Sequence, residues 1–502
     1  MPVAHDTDPR PHAVVIGAGF GGLAAAIRLG ARGWRVTILE RQDAPGGRAG
    51  VLRQGGYTFD RGPTIITAPH LLSDLWALRG RTMDVALRPL DPFYRIRFDD
   101  GRHFDYSGDP QRMRAEIARF APRDVDGFDR LMKLSGEIFR IGFEGLVDKP
   151  FSSFLDMVRV APDLLRLHGY RSVHSVVAAH ISDPSLRAAF SFHPLLIGGD
   201  PFRASAIYCL IAFLERKWGV HFAMGGTGAL VDGLARLVAD GGGLIRCGAT
   251  VSRIDVERGR ATGVTLEGGE RIAADIVVSN ADSAWTYRKL LAPEHRRRWT
   301  DAKLDRARYS MGLFVWYFGT KRRYDDLRHH TILMGPRYRE LLRDIFDRHV
   351  LADDFSLYLH RPTATDPSLA PPGGDTFYAL SPVPNLRGDI DWNVAGETYR
   401  KRIEEYLTRH LMPGLADEIV VSSIATPLDF QDRYLSCEGA GFGLEPTLLQ
   451  SAWFRPHNRS EEVDNLYLVG AGTHPGAGVP GVIASAKILD TLVPHGTAFA
   501  HV

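Results

Sequence analysis

AVVIGAGFGGLAAAIRLGARGWRVTILE, residues 13–40, decides the fold. Residues 13–17 form the apolar run of a strand buried on both faces. Residues 20–32 read as a helix with Leu23, Ile27 and small alanines toward the sheet. Gly33 is placed to end it, and Arg35 to Glu40 reads as the next strand. The turn between the first strand and the helix carries Gly17, Gly19 and Gly22 in GxGxxG spacing. Gly17 permits the tight turn, Gly19 lets backbone approach a pyrophosphate, and Gly22 packs helix on strand. The diphosphate then lies on the positive end of the helix. Glu40 closes the second strand 18 residues after Gly22, where a carboxylate accepts ribose hydroxyls and repels a 2′-phosphate. Strand, turn, helix, strand and acid stand in the order a dinucleotide requires.

Working outward, the choice falls on FAD rather than NAD. Arg41 follows the acid, and Gly46, Gly47 and Arg48 offer a second backbone approach with a cation beside it. Gly62, Pro63 and Thr64 make a turn suited to the flavin end. Far along the chain, LVGAGTHPGAGVPGV supplies another glycine-dense turn, with Gly470, Gly472 and Gly481. Val251 and Val482 are counted with these as cofactor contacts. Proline favours the first helical turn, so Pro480 and Gly481 open a helix whose N-terminus can stabilise negative charge on a reduced flavin.

Composition bounds the rest. At roughly 150 residues per domain, 502 residues suggest about three domain equivalents. Lys+Arg 61 against Asp+Glu 59 gives +2, which attracts no nucleic acid. Cys209, Cys247 and Cys437 are scattered, which excludes a disulfide framework and fits a reducing compartment. The opening MPVAHDTDPRPH lacks the pattern of a signal peptide, and no apolar run of about 18 residues predicts a spanning helix. The expected class is α/β: an FAD-binding Rossmann-like domain, residues 12–75, 222–290 and 456–502, interrupted by a mixed α+β substrate domain. Of the inserts, 76–221 reads as a helical, membrane-associating part and 291–455 as a sheet with helices.

The stretch NLYLVGAGTHPGAGVPGVIASAK, residues 465–487, resembles the signature of bacterial-type phytoene desaturases. SFHPLLIGGDPF, GGTGALVDGL, GPRYRELLRDIF and QSAWFRPHNR also resemble that family, and the likeness runs from about residue 12 to 490. His221 departs from it, where relatives carry a second aromatic. The resemblance implies a flavin amine oxidase-like fold with a membrane-associating helical part. It also implies a C40 hydrocarbon substrate, 15-cis-phytoene, converted by successive desaturations to lycopene, or to neurosporene after three. FAD takes the hydride and is reoxidised by oxygen or a membrane quinone.

Phytoene has no polar group, so shape must orient it. Phe192, Tyr208, Phe314, Trp316 and Phe318 are among the candidates to line a tunnel. Each could equally be ordinary core. By the resemblance, Asp156 and Arg159, three apart on one helix face, are the candidate polar pair at the reacting bond; a surface ion pair is the plainer reading. Arg337 and Lys487 are further polar candidates, Lys487 toward phosphate or flavin. His329 and His330 are expected to point apart along a strand, and no metal site is expected. A later-acting carotenoid desaturase or oxidase, an amine oxidase and a non-catalytic lipid escort remain as alternatives. Composition leads to the expectation of a cytoplasmic protein, and a hydrocarbon substrate to that of one lying on the inner face of the cell membrane, held by amphipathic insertions rather than charge.

Overall fold

Five parallel strands run in the order Leu466–Leu468, Ile276–Ser279, His12–Ile16, Arg35–Leu39 and Leu244–Arg246. The computed structural model describes residues 8–499. Most of the N-terminal segment read above, and the last residues of the nucleotide-binding stretch, lie outside them. The central strand is buried along its whole length, because helices cover the sheet. Helix α1 (Phe20–Ala31) packs there through its glycines and alanines. A Cβ on Gly22 would sit 2.0 Å from the Gly17 carbonyl oxygen, so only glycine permits this approach.

A second sheet has seven strands, in the order Ile419–Ala425, Gly312–Thr320, Asp375–Val383, Leu357–His360, His330–Met334, Tyr94–Phe98 and His103–Tyr106. The last two come from 76–221, which therefore supplies strands as well as the expected helices. Their alternating burial is the signal of a half-buried strand, in a stretch where prolines and helical patterns dominate.

Pleating gives this sheet two faces. Phe314, Trp316 and Phe318 pack against Trp392, Tyr399 and Ile403 of the helix Trp392–His410. They are core, not tunnel lining, which corrects that expectation. Leu313 and Val315, one residue out of phase, look into a cavity instead.

Two helices complete the frame of that cavity. Helix α2 (Phe154–Arg166) has no buried residue. Helix α3 (Val479–Leu492) lies on α1, tied to it by Arg28, whose Nη1 is 2.6 Å from Asp490 Oδ2. Among the described residues, no helix is long and apolar enough to cross a membrane.

Candidate active site

The cavity has a volume of about 600 Å³ and begins where parallel strands end. Gly17, Glu40, Asn280 and Gly470 each follow a strand of the first sheet and line it. Crevices at the carboxyl ends of parallel strands are where this class of sheet binds ligands.

Glu40 is 6% exposed, and both its oxygens are held. The N–H of Ala18 donates to Oε2 at 2.7 Å and that of Gln42 to Oε1 at 2.8 Å. The carboxylate is thereby fixed at the cavity wall. Arg41 also lines the cavity but directs Nη1 to the carbonyls of Asp432 and Arg433. Gly19, Gly46, Gly47 and Arg48 form the adjoining wall. Arg48 is half-buried, and burial of its guanidinium pushes the pKa down against the pull of the Asp282 carboxylate. Its Nη2 donates to Ser436 Oγ at 2.6 Å, while its buried Nε has no partner among the described residues. A buried cation with an idle donor beside a glycine turn suits a diphosphate. With Glu40 for a ribose, these residues fit FAD.

Gly62, Pro63 and Thr64 line the next part. A Cβ on Gly62 would lie 2.1 Å from the Arg48 carbonyl oxygen, so the two turns are locked together. Thr64 Oγ1 bonds the hydroxyls of Tyr358 at 2.8 Å and Tyr378 at 3.1 Å. Val251 lines the cavity, as do Gly481 and Val482 at the N-terminus of α3. That helix end leaves backbone N–H groups facing the space. Gly472 does not line it; it packs on Ser283.

Beyond Thr64 the wall turns apolar. Phe192, Leu195, Tyr208 and Ile211 form one side, and Leu313, Val315, Ile332 and Met334 of the second sheet another. Within this wing stands Glu215, 1% exposed. Tyr94 Oη donates to its Oε1 at 2.6 Å, and His193 Nε2 lies 3.2 Å from its Oε2. Burial and this carboxylate raise the Tyr94 pKa, which keeps the phenol a donor. Sequence reading missed Glu215, because LERKW looks like the solvated end of a helix. It missed Asn280 and Asp282 too, although their place just after a parallel strand could have flagged them.

The four polar candidates fall elsewhere. Asp156 accepts from the Ser153 N–H at 3.0 Å, completing a capping box at the start of α2. Arg159 is 76% exposed and 3.4 Å from it. The face of α2 turned to the cavity is Met157, Val160, Asp163 and Leu164 instead. Arg337 sits among Asp344 and Asp354 at the surface, with 3.1 Å and 2.5 Å contacts. Lys487 pairs with Asp148 at 2.9 Å. It lies about 12 Å along α3 from the helix start, at 1.5 Å per residue. None of the four lines the cavity. His329 and His330, expected to point apart, instead form one buried cluster with His360. His329 precedes the strand His330–Met334, so strand alternation does not govern it.

Residues 20–488 match the model of the family described as flavin containing amine oxidoreductase. The chain is 50% identical to a neurosporene-forming phytoene desaturase of Rhodobacter capsulatus, over 98% of this chain and 95% of the relative. It is 51% identical to a lycopene-forming phytoene desaturase of Pantoea ananas, over 94% and 97%. Among solved structures it is similar to a cyclohexylamine oxidase of Brevibacterium oxydans, with a TM-score of 0.61 at 18% identity, covering 98% of this chain and 99% of that one.

Proposed function

The chain belongs to the flavin-containing amine oxidoreductases, and within them to the phytoene desaturases; from that premise we propose how it works on phytoene, and where. It is an FAD-dependent oxidoreductase acting on carbon–carbon bonds. Its substrate is the C40 hydrocarbon phytoene, and its product neurosporene or lycopene, as for its relatives. One observation carries the mechanism: the cavity runs unbroken from the glycine cradle into an apolar wing holding a buried carboxylate.

FAD, when bound, supplies the acceptor for a hydride. The chain does the rest. The apolar wing aligns a polyene by shape, since moving it from lipid to protein gains little of the ~0.8 kcal/mol per CH₂ of hydrophobic transfer. Each round removes a hydride from one carbon and a proton from its neighbour, and the electron pair left behind becomes the new C=C bond. Glu215 accepts the proton on its carboxylate, which Tyr94 and His193 hold in position. Asp156 and Arg159 have no part in this chemistry; they cap and decorate α2.

Access is from a membrane. Phe154, Leu155, Val158 and Leu165 of α2 are all more than half exposed, and Tyr170 just beyond is 61% exposed. The same helix lines the cavity with Met157, Val160 and Leu164, beside Asp163. An amphipathic helix with one apolar stripe outward and another inward is a doorway for a lipid-dissolved substrate. The free cysteines support a cytoplasmic face. A membrane quinone or oxygen then takes the electrons.

The experiment incubates FAD-loaded protein with 15-cis-phytoene in liposomes, with oxygen or a quinone, and identifies the polyenes formed. Successive loss of phytoene with neurosporene or lycopene appearing is expected. Unchanged phytoene beside fully bound FAD would overturn the reading. Glu215→Gln should keep FAD and lose turnover.

A further inference from the structure

We propose that His329, His330 and His360 bind a borderline divalent metal ion, zinc in first place, as a structural clamp behind the cavity wall. The three rings sit where neighbouring strands meet: His330 pairs in register with His360, and His329 directly precedes His330. One nitrogen of each lies within 4.8 Å of the other two. Relative exposures are 7%, 1% and 1%.

Their hydrogen bonding is what marks a site. His329 Nδ1 is 2.7 Å from Thr365 Oγ1, and His330 Nδ1 is 2.6 Å from Tyr358 Oη. Both Nε2 atoms are buried without a partner among the described residues, and both ring nitrogens of His360 are as well. Idle buried polar nitrogens are costly, and here they belong to three rings that stand together. A metal-bound imidazole characteristically gives its other N–H to an outer oxygen, as Thr365 and Tyr358 permit. The nearby Arg361 is neutralised by Asp375 at 2.8 Å and Asp325 at 2.7 Å.

Three neutral imidazoles with an open fourth position suit zinc, cobalt or nickel rather than magnesium or calcium. Zinc–nitrogen bonds of about 2.0–2.1 Å set tetrahedral ligands about 3.4 Å apart. The widest pair therefore has to close by at most roughly 1.4 Å. The clamp would join the strands Leu357–His360 and His330–Met334. Through Tyr358 it would also brace Thr64 at the cofactor end of the cavity.

The test uses FAD-loaded protein without a histidine tag. It is dialysed against zinc or cobalt(II), then against buffer, and bound metal is measured by elemental analysis and cobalt d–d absorption. Wild type should retain an equimolar amount and melt at higher temperature with metal than without. His360→Gln should lose the retained metal. Thr365→Val touches no ligand nitrogen of the metal and should weaken affinity about 10–100-fold with FAD content unchanged. If His360→Gln does not fold, the Thr365→Val titration decides. No stoichiometric metal in wild type, equal retention in folded His360→Gln, or unchanged affinity in Thr365→Val would each overturn the site.

Discussion

The two ends of the cavity are built by opposite means. At the glycine end, backbone comes within contact distance of backbone, and function depends on side chains being absent. Gly22 and Gly62 sit where a Cβ would meet a carbonyl oxygen at 2.0 Å and 2.1 Å. At the apolar end the wall is side chains from separate helices and a sheet, and its one firmly buried acid, Glu215, is held by residues far away in sequence. The cradle tolerates almost no change in volume.

The harshest way to break that contrast is Gly22→Ala. The clash with the Gly17 carbonyl should cost about 4 kcal/mol or more, and the protein should purify without flavin absorbance or aggregate. Glu215→Gln keeps the size of the side chain. It should lower the desaturation rate about 100-fold while the flavin spectrum and FAD stoichiometry stay as in wild type. A wild-type rate would remove Glu215 from proton transfer. The doorway is tested by exchanging Leu155, Val158 and Leu165 for serine. Each side chain contributes ~1.5–3 kcal/mol when buried, so losing all three should lower vesicle binding by about 1,000-fold or more. High salt should leave wild-type binding intact.

A smaller effect comes from His474, which lines the cavity and whose Nε2 is 3.2 Å from the Leu146 carbonyl oxygen. Burial lowers its pKa to about 4 in the folded protein, against about 6.5 unfolded. The unfolded state therefore holds the extra proton between these values, and stability is full above about pH 6.5 and declines as pH falls toward 4. His474→Gln should flatten that decline by up to ~1.4 kcal/mol per pH unit, read from urea melts at several pH values. The smallest effect is expected at Asp156. Asp156→Ala should cost the capping box about 1 kcal/mol in local stability of α2 and leave the desaturation rate unchanged.

Much of the cradle was legible because a dinucleotide turn is local: Gly17, Gly19, Gly22 and Glu40 fall in one strand–helix–strand unit. Arg48 and Thr64 could be read from the turns that carry them, and both line the cavity. The apolar wing was not legible in this way. Asp156 and Arg159 share a helix face, but spacing cannot say which face looks inward, and Met157, Val160 and Leu164 occupy that side. Phe314 and Leu313 are neighbours in sequence, yet the register of Gly312–Thr320 in its sheet sends one to the core and the other to the cavity.

By itself, then, the sequence determined what depends on backbone: a parallel βαβ unit, its phosphate turn, the acid at the next strand end and the lack of a spanning run. These follow from neighbours within one unit, where residue type dictates conformation. Tertiary structure alone decided which acid is buried and which apolar stripe is wet. It also decided that His329, His330 and His360 meet. Burial is a property of the whole packing: Glu215 lies at 1% exposure only because Tyr94 and His193, from other parts of the chain, close over it.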